Sequence, residues 1–293
     1  MIGTLTKIKV FPTGMRLNEY VAHDTGLFAA EGLEVEIMWD VLRGQMARWK
    51  DTYKERPQDR PFIEGEAPIG SACAWGSVCN AGAGMGRFVP DVHGVSPWGI
   101  FVRPDSKIRR PEDLADVPIA VGLRAGSHFN VPYHLEKYLP LARIKPVNVG
   151  GFGARLKALL DGEFEAASLL PPQIDMAREL GLRQVIAGEF KTLWWVHESH
   201  SPELLRRYFR ALDRAEQAIA ADTARYLPLW KYSVPPEFAD RAWDFSRFSR
   251  GERFVHAPIS RQEFEGIMAE VERWRLDDVL EVRDFERMAL TVA

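Results

Sequence analysis

Two short phrases about a hundred residues apart, Gly65-Glu66-Ala67-Pro68-Ile69-Gly70-Ser71-Ala72 and Gly162-Glu163-Phe164-Glu165-Ala166-Ala167-Ser168, echo one another and constrain the fold more than any other feature. Each reads as a glycine that ends a helix, a glutamate in the turn, and a run of small and apolar residues able to form a strand buried between helices. The second copy follows Ala154-Arg155-Leu156-Lys157-Ala158-Leu159-Leu160, whose apolar positions fall on one helical face. Two such units imply two similar α/β lobes. Small residues at the strand ends leave room for a cleft where the lobes face each other.

Lys7-Ile8-Lys9-Val10-Phe11-Pro12 alternates polar and apolar residues as a first strand does, and Thr13-Gly14 closes it. The pattern predicts one helix from Asn18 to Glu31, capped by Gly32, and a second strand from Leu33 to Met38. A strand–helix–strand start requires a parallel pair with a right-handed crossover. Arg43 to Arg56 reads as helical, Pro57 to Glu64 as a charged loop, Ile69 to Cys73 as a strand, and Ala74 to Gly84 as a glycine-rich helix start. Between Pro90 and Val102 two extended segments carry the chain out of the first lobe. Strands are expected at 118–122, 145–149, 164–168 and 183–187, with helices at 127–139 and 172–180. Beyond Pro202 the pattern is almost wholly helical. The expected division is 1–97 with 198–293 as one discontinuous lobe and 98–197 as the other, with hinge crossings near 94–102 and 189–198.

Composition narrows the function classes. With 46% hydrophobic and 27% charged residues the chain is an ordinary globular sequence, and its net charge of −3 argues against nucleic acid as a partner. No apolar run approaches the ~20 residues of a transmembrane helix, so membrane insertion is not expected. A small-molecule ligand is the expected partner. The opening Met1-Ile2-Gly3-Thr4-Leu5-Thr6-Lys7 shows no basic stretch followed by an apolar one. The expected compartment is therefore the cytoplasm, or the periplasm if a leader has been removed. Cys73 and Cys79 are expected as free thiols. No HExxH or CxxC spacing occurs, and Gly82, Gly84 and Gly86 lack a nucleotide-binding context, so no metal and no cofactor are expected.

Four segments resemble a known family. They are Gly26-Leu27-Phe28-Ala29-Ala30-Glu31-Gly32-Leu33-Glu34-Val35-Glu36; Val102-Arg103-Pro104-Asp105-Ser106-Lys107-Ile108 with Pro111-Glu112-Asp113-Leu114-Ala115-Asp116; Ala120-Val121-Gly122 through Gly126-Ser127-His128; and Ala158-Leu159-Leu160-Asp161-Gly162-Glu163-Phe164-Glu165-Ala166-Ala167. In this order they are similar to the nitrate, sulfonate, taurine and thiamine-precursor group of ABC-transporter substrate-binding proteins. The resemblance implies an α/β, two-lobed type II periplasmic-binding-protein-like fold, with a central cleft and a helical C-terminal part. It also implies an ABC permease as partner if the chain is exported. The same group includes enzymes: sulfinate desulfinases, decarboxylases and synthases of the thiamine pyrimidine. The loop after the first strand, Thr13-Gly14-Met15-Arg16, holds no cysteine of the desulfinase type, and a cysteine-rich run of the pyrimidine synthases is missing.

Candidate site residues follow from position. Leu123-Arg124-Ala125-Gly126-Ser127-His128 lies between a strand and a helix, where free backbone N–H groups attract anions. Arg124 can grip a carboxylate or sulfonate bidentately, or be a solvated loop residue; Ser127 can be simply an N-cap. His128 is either a ligand contact and proton carrier or a bystander. Thr13, Met15 and Arg16 follow the first strand, where ligands lie in open α/β sheets. Arg16 is the second candidate anion contact, or a surface arginine paired with Glu19 or Asp40. Trp75 is an aromatic wall or a core residue, while Gln173 and Trp194 lie at the hinge or rim. Cys73 is the natural nucleophile of an enzyme on this scaffold, with His128 as its companion candidate; a buried cysteine is otherwise a small hydrophobe. The leading reading is a reversible binder closing on an organic anion, aromatic in view of the many tryptophans. The alternative is an enzyme acting on a small aromatic carboxylate or sulfinate.

Overall fold

Ile8 and Val10 turn inward from a strand whose other face carries Lys7 and Lys9, and this alternation seats the first strand against the core. In the computed structural model, which describes residues 4–292, the chain runs β1 (Thr6–Val10), α1 (Leu17–Asp24), α2 (Leu27–Ala30), β2 (Leu33–Ile37), α3 (Trp39–Met46), α4 (Arg60–Ile63), β3 (Pro68–Cys73), α5 (Ala74–Gly82), β4 (Arg87–Phe88) and β5 (His93–Val102). It continues through β6 (Pro118–Val121), α6 (Gly126–Leu135), β7 (Lys145–Asn148), α7 (Phe152–Leu160), β8 (Ala166–Leu169), α8 (Gln173–Glu179) and β9 (Arg183–Val196). The last part holds α9 (Pro202–Ala221), α10 (Thr223–Tyr226), β10 (Arg253–Val255), α11 (Arg261–Arg273) and α12 (Phe285–Met288). Met1, Ile2 and Gly3, on which the leader reading partly rests, lie outside the described residues.

The strands form one curled sheet in the order β2-β1-β3-β9-β5-β8-β6-β7. Pairing is parallel within β2-β1-β3 and within β8-β6-β7, so each group points its strand C-termini one way. The long strands β5 and β9 run antiparallel to each other from Gly94/Thr192 to Val102/Arg183 and join the two groups. One end of β9, Ile69↔Val196 to Cys73↔Thr192, holds β3, and the far end of β5 holds β8.

Several boundaries differ from the sequence reading. The helix expected over 18–31 is two helices, because Gly26 takes a left-handed φ of +74° and turns the chain between them. The two extended segments expected before Val102 are the single ten-residue β5, and the strand expected at 183–187 continues as the fourteen-residue β9. The helix expected over 43–56 stops at Met46, and residues 47–59 cross irregularly toward the other strand group. The C-terminal part is less helical than expected, since turns of 3-10 helix and β10 fill much of 227–260. α9 lays Leu205, Tyr208, Phe209, Leu212 and Ile219 against α1 and α2, with Tyr208 stacked on Phe28 at 5.2 Å.

One surface feature leaves stability unclaimed. Gly266 lies exposed inside α11, and an added Cβ there meets nothing within 4 Å. Gly266→Ala should stabilise the chain by ~0.5–1 kcal/mol, read as a rise in the denaturant midpoint. A lower midpoint would contradict an open position.

Candidate functional site

The C-terminal ends of both parallel groups converge on one small cavity of about 40 Å³. After β1 come Thr13 and Met15; Ser71, Ala72 and Cys73 end β3; Arg124, Ala125 and Gly126 follow β6; Phe152 and Arg155 follow β7; Leu170 follows β8. The end of α3 adds Gln45, and the crossing segment after it adds Trp49, Arg56 and Gln58. A crevice outside the carboxyl ends of strands is where an open α/β sheet holds ligands.

Arg155 is the informative residue. It is the fourth residue of α7, and side chains on a helix lean toward its N-terminus, so its guanidinium is carried back to the strand ends. There Nε donates to Ser168 O at 2.8 Å and Nη1 to Gly150 O at 2.7 Å, while Nη2 has no partner. The side chain is 1% exposed, and burial alone holds its pKa down to about 9, since no carboxylate pairs with it among the described residues. It stays charged at neutral pH, an unbalanced buried cation that an anion would complement. Four more buried atoms lining the same cavity lack partners: Thr13 Oγ1, Ser71 Oγ, Gln45 Oε1 and Gln58 Oε1.

The other arginines at the cavity are already committed. Arg56 makes a two-pronged pair with Asp59 at 2.6 and 2.7 Å, and donates to Asn80 Oδ1 and Arg124 O. Arg124 lines the cavity but gives its donors to Leu276 O and the Asp278 carboxylate, fastening the C-terminal segment across the site. The expectation of Arg124 as ligand grip is therefore replaced by a clamp, and Arg155 holds the free donor that sequence reasoning missed.

Of the remaining candidates, Thr13, Met15, Cys73 and Gly126 line the cavity together. Arg16 does not reach it: fully buried, it donates to Glu252 at 2.5 Å and Thr192 at 2.9 Å, with Glu19 at 3.7 Å and the Trp194 ring 3.9 Å from its guanidinium carbon. Burial raises the pKa of both Glu19 and Glu252, and Arg16 opposes this. The surface alternative fails as well, since the pair with Glu19 is internal. Trp194 belongs to that core cluster, not to the cavity. Trp75 points to the opposite side of α5, where it donates to Glu270 at 2.6 Å. Ser127 is in the first turn, not at the N-cap, and accepts from Gly122 N at 2.8 Å. His128 accepts the Arg124 N–H through Nδ1 at 3.0 Å, and its pKa is pushed down to about 4 by burial and by Arg124. Gln173 is buried and donates to Ser233 O at 3.2 Å. The aromatic ligand inferred from the tryptophans thus retains only Trp49 and Phe152 at the cavity.

Cys73 caps α5, its sulfur accepting the Gly76 N–H at 3.2 Å. Burial pushes its thiol up to about 12, and Cys79 likewise. Among the described residues no histidine or carboxylate hydrogen-bonds Cys73, so nothing there activates it. Both thiols should resist iodoacetamide at pH 8 in the native protein and react in urea, read by intact mass; rapid native alkylation would contradict their burial. The unfolded thiol ionises near 9.0 and the folded one near 12, so this contribution to stability is whole below pH 9 and is lost as pH rises toward 12.

The architecture has solved counterparts. An alkanesulfonate-binding protein, SsuA of Xanthomonas axonopodis pv. citri, bound to MOPS, superimposes with a TM-score of 0.70 at 14% identity over 98% of each chain. The chain has the type II periplasmic-binding-protein fold. The product of the Candida albicans CA3427 gene, described as exhibiting the generic periplasmic binding protein structural fold, matches at a TM-score of 0.64 and 12% identity over 98% of this chain and 96% of that one. So does a variant of the desulfurization enzyme DSZB in complex with biphenyl-2-sulfinic acid, at 0.61 and 14% over 98% and 96%. Neither a protein-family model nor a curated protein matches the sequence. Among the described residues no helix is long and apolar enough to cross a membrane.

Proposed function

We propose that this chain is a binding protein for a small organic anion, gripping a single negatively charged head group, sulfonate or carboxylate, in the cavity between the two strand groups. The observation that carries the reading is Arg155: a buried guanidinium with a free Nη2, no counter-ion, and four unpartnered polar atoms around the same space. Buried polar atoms without a protein partner call for a ligand or an ordered water to satisfy them. Its 40 Å³ equals roughly two or three waters, enough for a head group but not for a whole aromatic ligand. In this reading a whole ligand enters as the halves part, with β5 and β9 as the hinge and 1–97 plus 198–293 moving against 98–197. The likeness to sulfonate-binding proteins supports this ligand class. If the chain is exported, its partner would be a membrane permease.

The enzyme reading keeps one point in its favour, the Cys73 thiol at the cavity wall, and the desulfurization enzyme has the same fold. The protonated, unassisted state of that thiol weighs against it. A thermal-shift screen with alkanesulfonates, benzenesulfonates, sulfinates and carboxylates tests the proposal, because a ligand specific to the native state raises the melting temperature by mass action. Stabilisation by anions and not by their neutral amides or esters is expected. Equal stabilisation by the neutral compounds would overturn it.

A further inference from the structure

Behind the wall formed by Cys73 and Gly126 lies a second and larger cavity of about 360 Å³. A Cβ built on Gly126 would touch Phe190 at 3.4 Å and Cys73 Cβ at 3.5 Å, so a single layer separates the two spaces. Three aromatic rings stand among the aliphatic walls of this cavity. Trp75 on α5 and Phe190 on β9 lie 6.5 Å apart with their rings inclined by 23°, and Tyr133 on α6 stands 5.0 Å from Trp75.

The rim is acidic. Glu189, Glu263 and Glu270 face the space with one cation, Lys191, which pairs with Glu263. Glu189 keeps only a loose contact with Arg253 at 3.6 Å. Glu270 is half-buried and bonded to the Trp75 indole, and no cation lies within ion-pair distance of it among the described residues. The nearby Arg273 is committed to Glu136 at 2.6 Å. A half-buried carboxylate in no ion pair, beside three aromatic rings, favours a cation through its charge. An anion would be repelled there, and a neutral apolar guest would strip water from Glu270 without replacement.

We propose that this cavity is a second ligand site, taking a small organic ammonium ion seated against Trp75 and Phe190 with its charge toward Glu270. It is opposite in sign to the Arg155 cavity and does not depend on the reading of that cavity. Calorimetric titration of the full chain with benzyltrimethylammonium tests it, alongside its neutral isostere neopentylbenzene and the variants Glu270→Gln and Gly266→Leu. Gly266 lines this cavity and has open space where a side chain would stand, so leucine fills the site while favouring the helix. Saturable binding of the cation is expected, weakened at least tenfold in Glu270→Gln and abolished in Gly266→Leu, with cooperative melting retained in both. No saturable binding by the unmodified chain, binding unaltered by either substitution, or equal affinity for the neutral isostere would overturn it.

Discussion

Arg155→Lys should cost ~1.5–3 kcal/mol of anion affinity, about 10–150-fold, while leaving the melting transition cooperative. The guanidinium bonds two carbonyls, Ser168 O and Gly150 O, and still has Nη2 to offer a ligand. An ammonium at the end of a flexible stem cannot hold both carbonyls and also present a planar fork to the anion. Lysine keeps the charge, so the experiment isolates geometry from net electrostatics. Arg155→Ala is the harsher form and would leave those two buried carbonyls without donors, lowering stability as well as affinity. Titration calorimetry with the best anion from the thermal screen checks the first substitution. Unchanged affinity would remove Arg155 from the site and leave its buried charge without an account.

A second large effect is expected at Gly151. Here the segment after α3 and the loop before α7 touch backbone to backbone: Gly151 N donates to Ala47 O at 2.7 Å, Trp49 N to Val149 O at 3.4 Å, and Arg48 bridges Gly150 in antiparallel fashion. A Cβ at Gly151 would stand 1.9 Å from Gln45 O and 2.5 Å from Gln45 C, and backbone cannot swing aside as a side-chain tip does. Gly151 itself has φ −72°, which alanine adopts freely, so the cost falls on the contact and not on the local conformation. Gly151→Ala should therefore hold residues 45–49 away from the start of α7, displace Gln45 from the cavity, and weaken anion binding by at least tenfold. Small-angle X-ray scattering with and without ligand would show whether the variant loses the compaction expected of the unmodified chain. Full compaction at unchanged affinity would mean that this contact is not the closing one.

The layout was legible in the sequence where the signals are local. The alternation at Lys7–Val10, Gly32 ending a helix and the apolar run after Gly162 each fixed an element whose pairing then followed from parallel-crossover rules. The helix break at Gly26 was missed because a single glycine is tolerated within a helical pattern, and nothing in the local sequence marks its φ of +74°. The strand-end loops were sought as cavity walls, and Thr13, Met15, Cys73, Arg124 and Gly126 line one space. What sequence could not give is which arginine remains free. Arg16, Arg56 and Arg124 find acids at Glu252, Asp59 and Asp278, two of them more than a hundred residues away, while Arg155 finds none. The double glycine before α7, Gly150-Gly151, was the available signal: it lets another chain segment approach the start of a helix, with Arg155 one turn inside. Trp75 misled because the chain turns from strand into helix between Cys73 and Trp75, leaving Cys73 at the cavity and carrying Trp75 onto the far side of α5.

The central claim is that the chain binds an organic anion reversibly and leaves it unchanged. Titration of the purified protein with a sulfonate and carboxylate panel, with mass spectrometry of the recovered ligand from the same samples, tests it most directly. Saturable binding of at least one anion, dependent on Arg155 and with the ligand recovered intact, is the expected result; consumption of the ligand, or no anion bound at millimolar concentration, would contradict the account.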